Sequence, residues 1–129
     1  MRLIQYVVLF CILTSCDPGL GIEIINTTNS KACVEWEFNR LRHVNHFSEL
    51  SISDSVRIEI NSKDTAHYFF GIGVWEGQGN LDSLVNMSEQ IKVSTENSTT
   101  IYKGDLQIRK FLKENINDGP GSVISIFLR

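Results

Sequence analysis

The chain has 129 residues, 42% of them apolar, a formal charge of −3 and three cysteines. That length can bury one substantial core but hardly two. A mildly acidic chain without a basic run gives no footing for nucleic acid, whose binding rests on Lys and Arg neutralising phosphates.

At the N-terminus, Met1 and a single basic residue, Arg2, precede an apolar run from Tyr6 to Leu13, the layout of a secretory signal. The run is short of the roughly 20 residues a membrane-crossing helix needs. Directly after it stand Leu13, Thr14, Ser15 and Cys16, an aliphatic residue, two small residues and a cysteine. These four positions resemble the lipobox of the bacterial lipoproteins. The resemblance implies that the Cys16 sulfur receives a diacylglyceryl group and that residues 1–15 are then removed. A thiolate is the nucleophile in such chemistry, and a Ser hydroxyl is far weaker. Each buried lipid methylene is worth about 0.8 kcal/mol, so two or more chains anchor stably. The expected location is therefore the bacterial cell envelope, lipid-anchored to a membrane. Asp17 follows the lipidated position, where an acidic residue influences sorting in some bacteria; inner and outer membrane both stay open.

Loss of the signal removes Arg2 and leaves −3 − 1 = −4. It also removes Cys11, and with Cys16 committed to lipid, Cys33 stands alone without an intramolecular disulfide partner. Between Ala32 and Val34 it reads as a buried, inert thiol. Pro18, Gly19 and Gly21 read as irregular tether, so residues 16–21 join the lipid to a single domain over 22–129.

Ile22–Thr27 is rich in β-branched residues and leads into a run of turn formers over 26–31, which predicts a strand and a turn. Val34, Trp36 and Phe38 alternate with Glu35 and Glu37, the clearest half-buried strand pattern in the chain. Asn39–Glu49 keeps no period and reads as a long connection. Val56, Ile58 and Ile60 alternate with Arg57 and Glu59 as another half-exposed strand. Ala66–Trp75 is apolar almost throughout and is expected to be a central strand, with Gly71 and Gly73 marking a close approach or a bend. Leu81, Leu84 and Val85 fit one helical turn. Gln90–Ser94 and Thr99–Lys103 fit a hairpin. From Asp105, read as a cap, Ile108, Phe111, Leu112 and Ile116 form one helical stripe opposite Arg109, Lys110 and Lys113. Breakers over 117–121 stop the helix, and Val123–Leu128 closes the chain as a strand.

About seven strands and one helix near 105–116 predict a mainly β fold, an immunoglobulin-like or transthyretin-like antiparallel sandwich. The alternative is an α+β layer with the helix packed on one antiparallel sheet.

His43 and His46, with His67 a distant third, lack the Cys pair or HExxH pattern of a metal site and read as solvated, so neither metal nor cofactor is expected. The glycines over 71–77 are not followed directly by a helix start, as a phosphate cradle requires, and read as structural. Glu35 and Glu37 share a wet face, and no Gly-x-Ser-x-Gly elbow is present, which makes an enzyme the minority reading. Trp36 belongs to a core face. Trp75, at a strand end beside a Gly-rich turn, is the candidate contact for a ligand or partner. Asp54-Ser55-Val56, Asp64-Thr65-Ala66 and Asp82-Ser83-Leu84 resemble the Asp, Ser/Thr, apolar signal for O-glycosylation of exported proteins in one group of Gram-negative bacteria. That resemblance makes Ser55, Thr65 and Ser83 candidate glycan carriers. The same dipeptides also serve turns and helix starts.

The expected function is a membrane-anchored, non-catalytic envelope module that binds a protein or glycan. The alternative is a small hydrolase or inhibitor-like factor whose site is assembled from residues distant in sequence. A deep pocket with converging carboxylates or histidines would favour the second, and a flat surface with exposed aromatics the first.

Overall fold

The alternating segments pair into two four-stranded sheets in a computed structural model that describes residues 19–39, 54–77, 79–117 and 122–129. In chain order the elements are β1 (Gly19–Asn26), β2 (Ala32–Phe38), β3 (Ser55–Ile60), β4 (Thr65–Ile72), α1 (Asn80–Met87), β5 (Ser88–Ser94), β6 (Thr99–Lys103), α2 (Asp105–Glu114), β7 (Ile116–Asn117) and β8 (Ser122–Leu128). The first sheet has the order β4-β1-β8-β7 and the second β3-β2-β5-β6. All pairings are antiparallel except that of β1 with β8, which is parallel. The protein is therefore mainly β, with two sheets rather than the single sheet of the α+β alternative.

Period-two patterning decides which face each strand buries. Leu20, Ile22 and Ile24 of β1, Val34 and Trp36 of β2, Ile91 of β5 and Ile124, Ile126 and Leu128 of β8 enter one core cluster drawn from both sheets. The helices add Leu81, Leu84, Val85 and Met87 from α1 and Ile108, Phe111 and Leu112 from α2. Tyr102 of β6 stacks on Phe111 with ring centroids 4.0 Å apart, fixing α2 against the second sheet.

Several sequence expectations change. The tether reading of Gly19 and Gly21 gives way to strand, because β4 pairs with β1 from Gly19 and β8 from Leu20. The Phe69 ring lies over Gly19, where a Cβ would come within 3.1 Å of it, and the β1–β4 register shifts between Leu20 and Gly21. Asn117, grouped above with the breakers, belongs to β7. Strand β4, expected at the centre, is the outermost strand of its sheet among the described residues. Its apolar run misleads because Phe69 faces outward and is 62% exposed. Gly71 and Gly73, at φ 138° and 129°, mark the expected bend in a region L-residues rarely enter. The cap of α2 is Gly104 rather than Asp105, which opens the helix. The segment 80–87, read as one turn, runs for eight residues as α1.

Both helices lie at one end of the molecule. The Asn26 amide at the close of β1 donates to the carbonyls of Ser30, Ile60 and Asn61 at 2.8, 3.1 and 2.9 Å, so the finish of β1 meets the finish of β3. Gly19 and Ser122 then share the opposite end with Phe38, Ser55, Ser88 and Lys103. From that end α1 leads into β5, and α2 follows β6.

Candidate functional site: the outer face of the first sheet

Residues of β1 that point away from the core are Gly21, Glu23 and Ile25, and register places neighbours beside each. Gly21 faces Phe69 and Val123, Glu23 faces His67 and Ser125, and Ile25 faces Thr65 and Phe127. Successive rows along a strand are about 6.8 Å apart. A polar row therefore runs between two apolar ones. Neighbours on one face of paired strands interact directly, and here they form a chain. His67 Nδ1 lies 3.4 Å from Glu23 Oε1, Ser125 Oγ donates to Glu23 Oε2 at 3.2 Å, and Asn117 Nδ2 donates to Ser125 Oγ at 2.6 Å.

This order differs from a Ser-His-acid triad, in which the serine hydroxyl is bonded to the imidazole that takes its proton. Here the buried Ser125 donates its hydroxyl hydrogen bond to a carboxylate, which orients Glu23 rather than making a nucleophile. Glu23 remains one-third exposed, so its lone pairs are open to a hydroxyl or amide donor. Beside it Phe127 is 45% exposed, with the Arg129 guanidinium 5.5 Å from its ring centroid. A fixed carboxylate among flat apolar groups can recognise a ligand that presents both a donor and an apolar face.

The chain matches no family model, no curated protein and no solved structure.

The residues singled out from sequence are dispersed rather than gathered. Cys16, His43 and His46 lie outside the described residues. Trp75, the candidate contact, is fully buried: its indole N–H donates to the Gly21 carbonyl at 3.2 Å and its ring meets Phe70 edge-on. Its ring presents no surface to a partner, and its role is to pack the end of β4 against β1. Ser55 is exposed at the start of β3. Thr65 is half-buried, with its N–H bonded to Asp64 Oδ1 at 2.8 Å. Ser83 sits within α1, its hydroxyl donating to the Gly79 carbonyl at 3.0 Å, while the adjacent Asp82 pairs with Arg109. The three do not form one patch.

Cys33, expected to be buried, is half-exposed on the outer face of the second sheet. Desolvation still pushes its thiol up, ahead of the opposing influence of Arg57. On the same face Glu35 is held below the ordinary carboxylate range, chiefly by the Lys92 hydrogen bond at 2.8 Å and further by Arg57. Glu35 is thus paired from both neighbouring strands rather than merely solvated.

The hollows carry less chemistry. One of about 160 Å³ at the helix end is lined by Glu76, Asp82, Arg109 and Lys113. Arg109 is paired with Asp82, and Lys113 lies 3.3 Å from Glu76, so its cations are already matched. A wider one of about 470 Å³ at the opposite end is lined by Thr, Asn and Ser side chains with Glu96 and Arg129. Among the described residues, no group of three His, Cys, Asp or Glu is placed to hold a metal ion, and no helix is long and apolar enough to cross a membrane.

Sequence reasoning missed the Glu23 row, because Ser125 is 102 residues from Glu23 and only strand register joins them. The available signal was a polar residue between isoleucines in both strands: Glu23 between Ile22 and Ile24, and Ser125 between Ile124 and Ile126.

Proposed function

We propose that the protein is a lipid-anchored envelope module that binds a protein or glycan through the outer face of the first sheet. The observation that carries this reading is the oriented Glu23 carboxylate with the exposed ring of Phe127 in the adjoining row. Isolated exposed apolar residues are ordinary on a domain surface. An exposed aromatic ring beside a fixed carboxylate on one sheet face is a more specific arrangement, suited to contact with a partner. The hydrolase or inhibitor-like alternative calls for carboxylates or histidines converging in a hollow; Glu76 and Asp82 share the helix-end hollow but are each paired with a cation, and the hollow at the opposite end holds the single carboxylate of Glu96.

The fold proposed with this function is a sandwich, supported by one core cluster drawn from both sheets. The first two strands of an immunoglobulin constant-type domain share a sheet, whereas β1 and β2 lie in different sheets. That difference favours the transthyretin-like form. The anchor is diacylglyceryl at Cys16, and Ser55, the most open of the three Asp-Ser/Thr positions, leads the candidates for glycan.

A photo-crosslinking residue at Phe127, with Ile101 on β6 as an exposed control, tests the binding face in intact cells. Adducts specific to Phe127 and lost on Glu23→Gln support the reading. Equal adducts at both positions refute it. For the anchor, Cys16→Ser should abolish incorporation of labelled fatty acid, and intact mass of the purified protein reports lipid and glycan together.

A further inference from the structure

Cys16 precedes Gly19, the first residue of β1, by three residues. At no more than about 3.6 Å per residue, the chain can separate the two by roughly 11 Å whatever its conformation. Gly19 lies at the end of the sheets that bears both helices. The same end carries Leu106, the most exposed large apolar side chain among the described residues at 85%, in the first turn of α2. Phe69 is there too, its ring on Gly19.

We infer that the helix-bearing end of the domain rests on the bilayer that holds the anchor, with Leu106 and Phe69 entering the headgroup region. This rests on the lipid anchor at Cys16 proposed above. The occupant is set by reach: a surface about 11 Å from the domain, made of lipid, is presented to this end before any diffusing partner. Lys110 stands one turn beyond Leu106 and Lys103 just before α2, placed to keep their ammonium groups in water while their stems lie along the interface. Arg109 and Lys113 are engaged by Asp82 and Glu76, and Lys110 lies 3.9 Å from Glu114. With Asp105 beside Leu106 and Glu89 at the start of β5, acidic groups slightly outnumber basic ones at this end, so anionic lipid does not drive the contact. The outer face of the first sheet then stands up from the membrane, with Phe127 at its distal end.

The test uses the full chain purified from membranes and reconstituted in phosphatidylcholine vesicles with brominated acyl chains, which quench indole emission at short range. Leu106→Trp, Phe69→Trp and Phe127→Trp are read against the parent, whose Trp36 and Trp75 are buried and supply a constant background. Leu106→Trp and Phe69→Trp should lose emission relative to unbrominated vesicles, while Phe127→Trp keeps it. Equal quenching at all three positions means the sheet lies flat on the lipid and overturns the inference. No quenching at Leu106→Trp and Phe69→Trp also overturns it. Intact mass on the same sample separates the two readings: polypeptide without lipid overturns the anchor and this orientation together, whereas lipid present without position-dependent quenching overturns the orientation alone.

Discussion

Replacing Ser88 by Ala should destabilise the domain well beyond an ordinary Ser→Ala change. The Trp36 indole N–H donates to Ser88 Oγ at 2.8 Å, and that hydroxyl donates to the Leu84 carbonyl at 2.6 Å, both bonds being buried. The serine thus joins β2 to the junction of α1 and β5. Without it a buried indole donor is orphaned, at about 1–3 kcal/mol, and a second bond worth about 1 kcal/mol is lost. The sum is about 2–4 kcal/mol, or roughly 8–16 °C in Tm for a domain of this size. Trp36→Phe removes the donor itself. In the double variant the orphan no longer exists, so it should be about 1–2 kcal/mol more stable than the two single losses predict. Urea unfolding followed by far-ultraviolet circular dichroism measures all four proteins without relying on indole fluorescence. Additivity within about 0.5 kcal/mol would refute the account, because it would mean the indole and the hydroxyl are energetically independent.

Truncation after Pro120 removes β8 from between β1 and β7 and should abolish cooperative unfolding; retention of the full-length melting transition would contradict its interior placement. Lys92→Met should raise the Glu35 pKa back toward the ordinary carboxylate range, as read by NMR titration of the side-chain carboxyl. Because the folded-state pKa of Glu35 is depressed, its stabilising contribution is present above the unfolded value and lost as pH falls through the folded one, so Lys92→Met should flatten the acid limb of the stability curve. Burial raises the Cys33 pKa, so its alkylation by iodoacetamide near pH 8.5 should be slower in the folded protein than in urea; equal rates would count against a desolvated thiol. For the same reason Cys33 withdraws stability as pH rises through its unfolded pKa.

Where one residue alternated cleanly with the next, the sequence was a good guide. Val34, Trp36 and Phe38 face inward as their pattern requires, and the 90–94 and 99–103 segments pair as a hairpin. The stripe of Ile108, Phe111 and Leu112 likewise identified α2, although Ile116, read onto the same stripe, belongs to β7 because the helix ends at Glu114. The reading failed where an apolar residue served a purpose other than burial. Phe69 made β4 look covered on both faces, though its ring packs beside a glycine at an open surface. Trp75 looked available because it follows a strand, yet the bend at Gly71 and Gly73 precedes a fully buried indole. The candidate site was hidden for a different reason. Glu23, His67, Asn117 and Ser125 come from four strands, and local periodicity assigns each to a face without saying which strands will adjoin.

The parallel pairing of β1 with β8 makes the opening and closing strands immediate neighbours, in a register that runs from Leu20 with Ser122 to Asn26 with Leu128. During synthesis, β1 waits about a hundred residues for that neighbour, a separation that slows closure because loop entropy must be overcome before the contact forms. Until β8 has emerged from the ribosome the first sheet lacks the strand that joins β1 to β7, so the second sheet, whose strands all lie between Ala32 and Lys103, can pair before the first is complete.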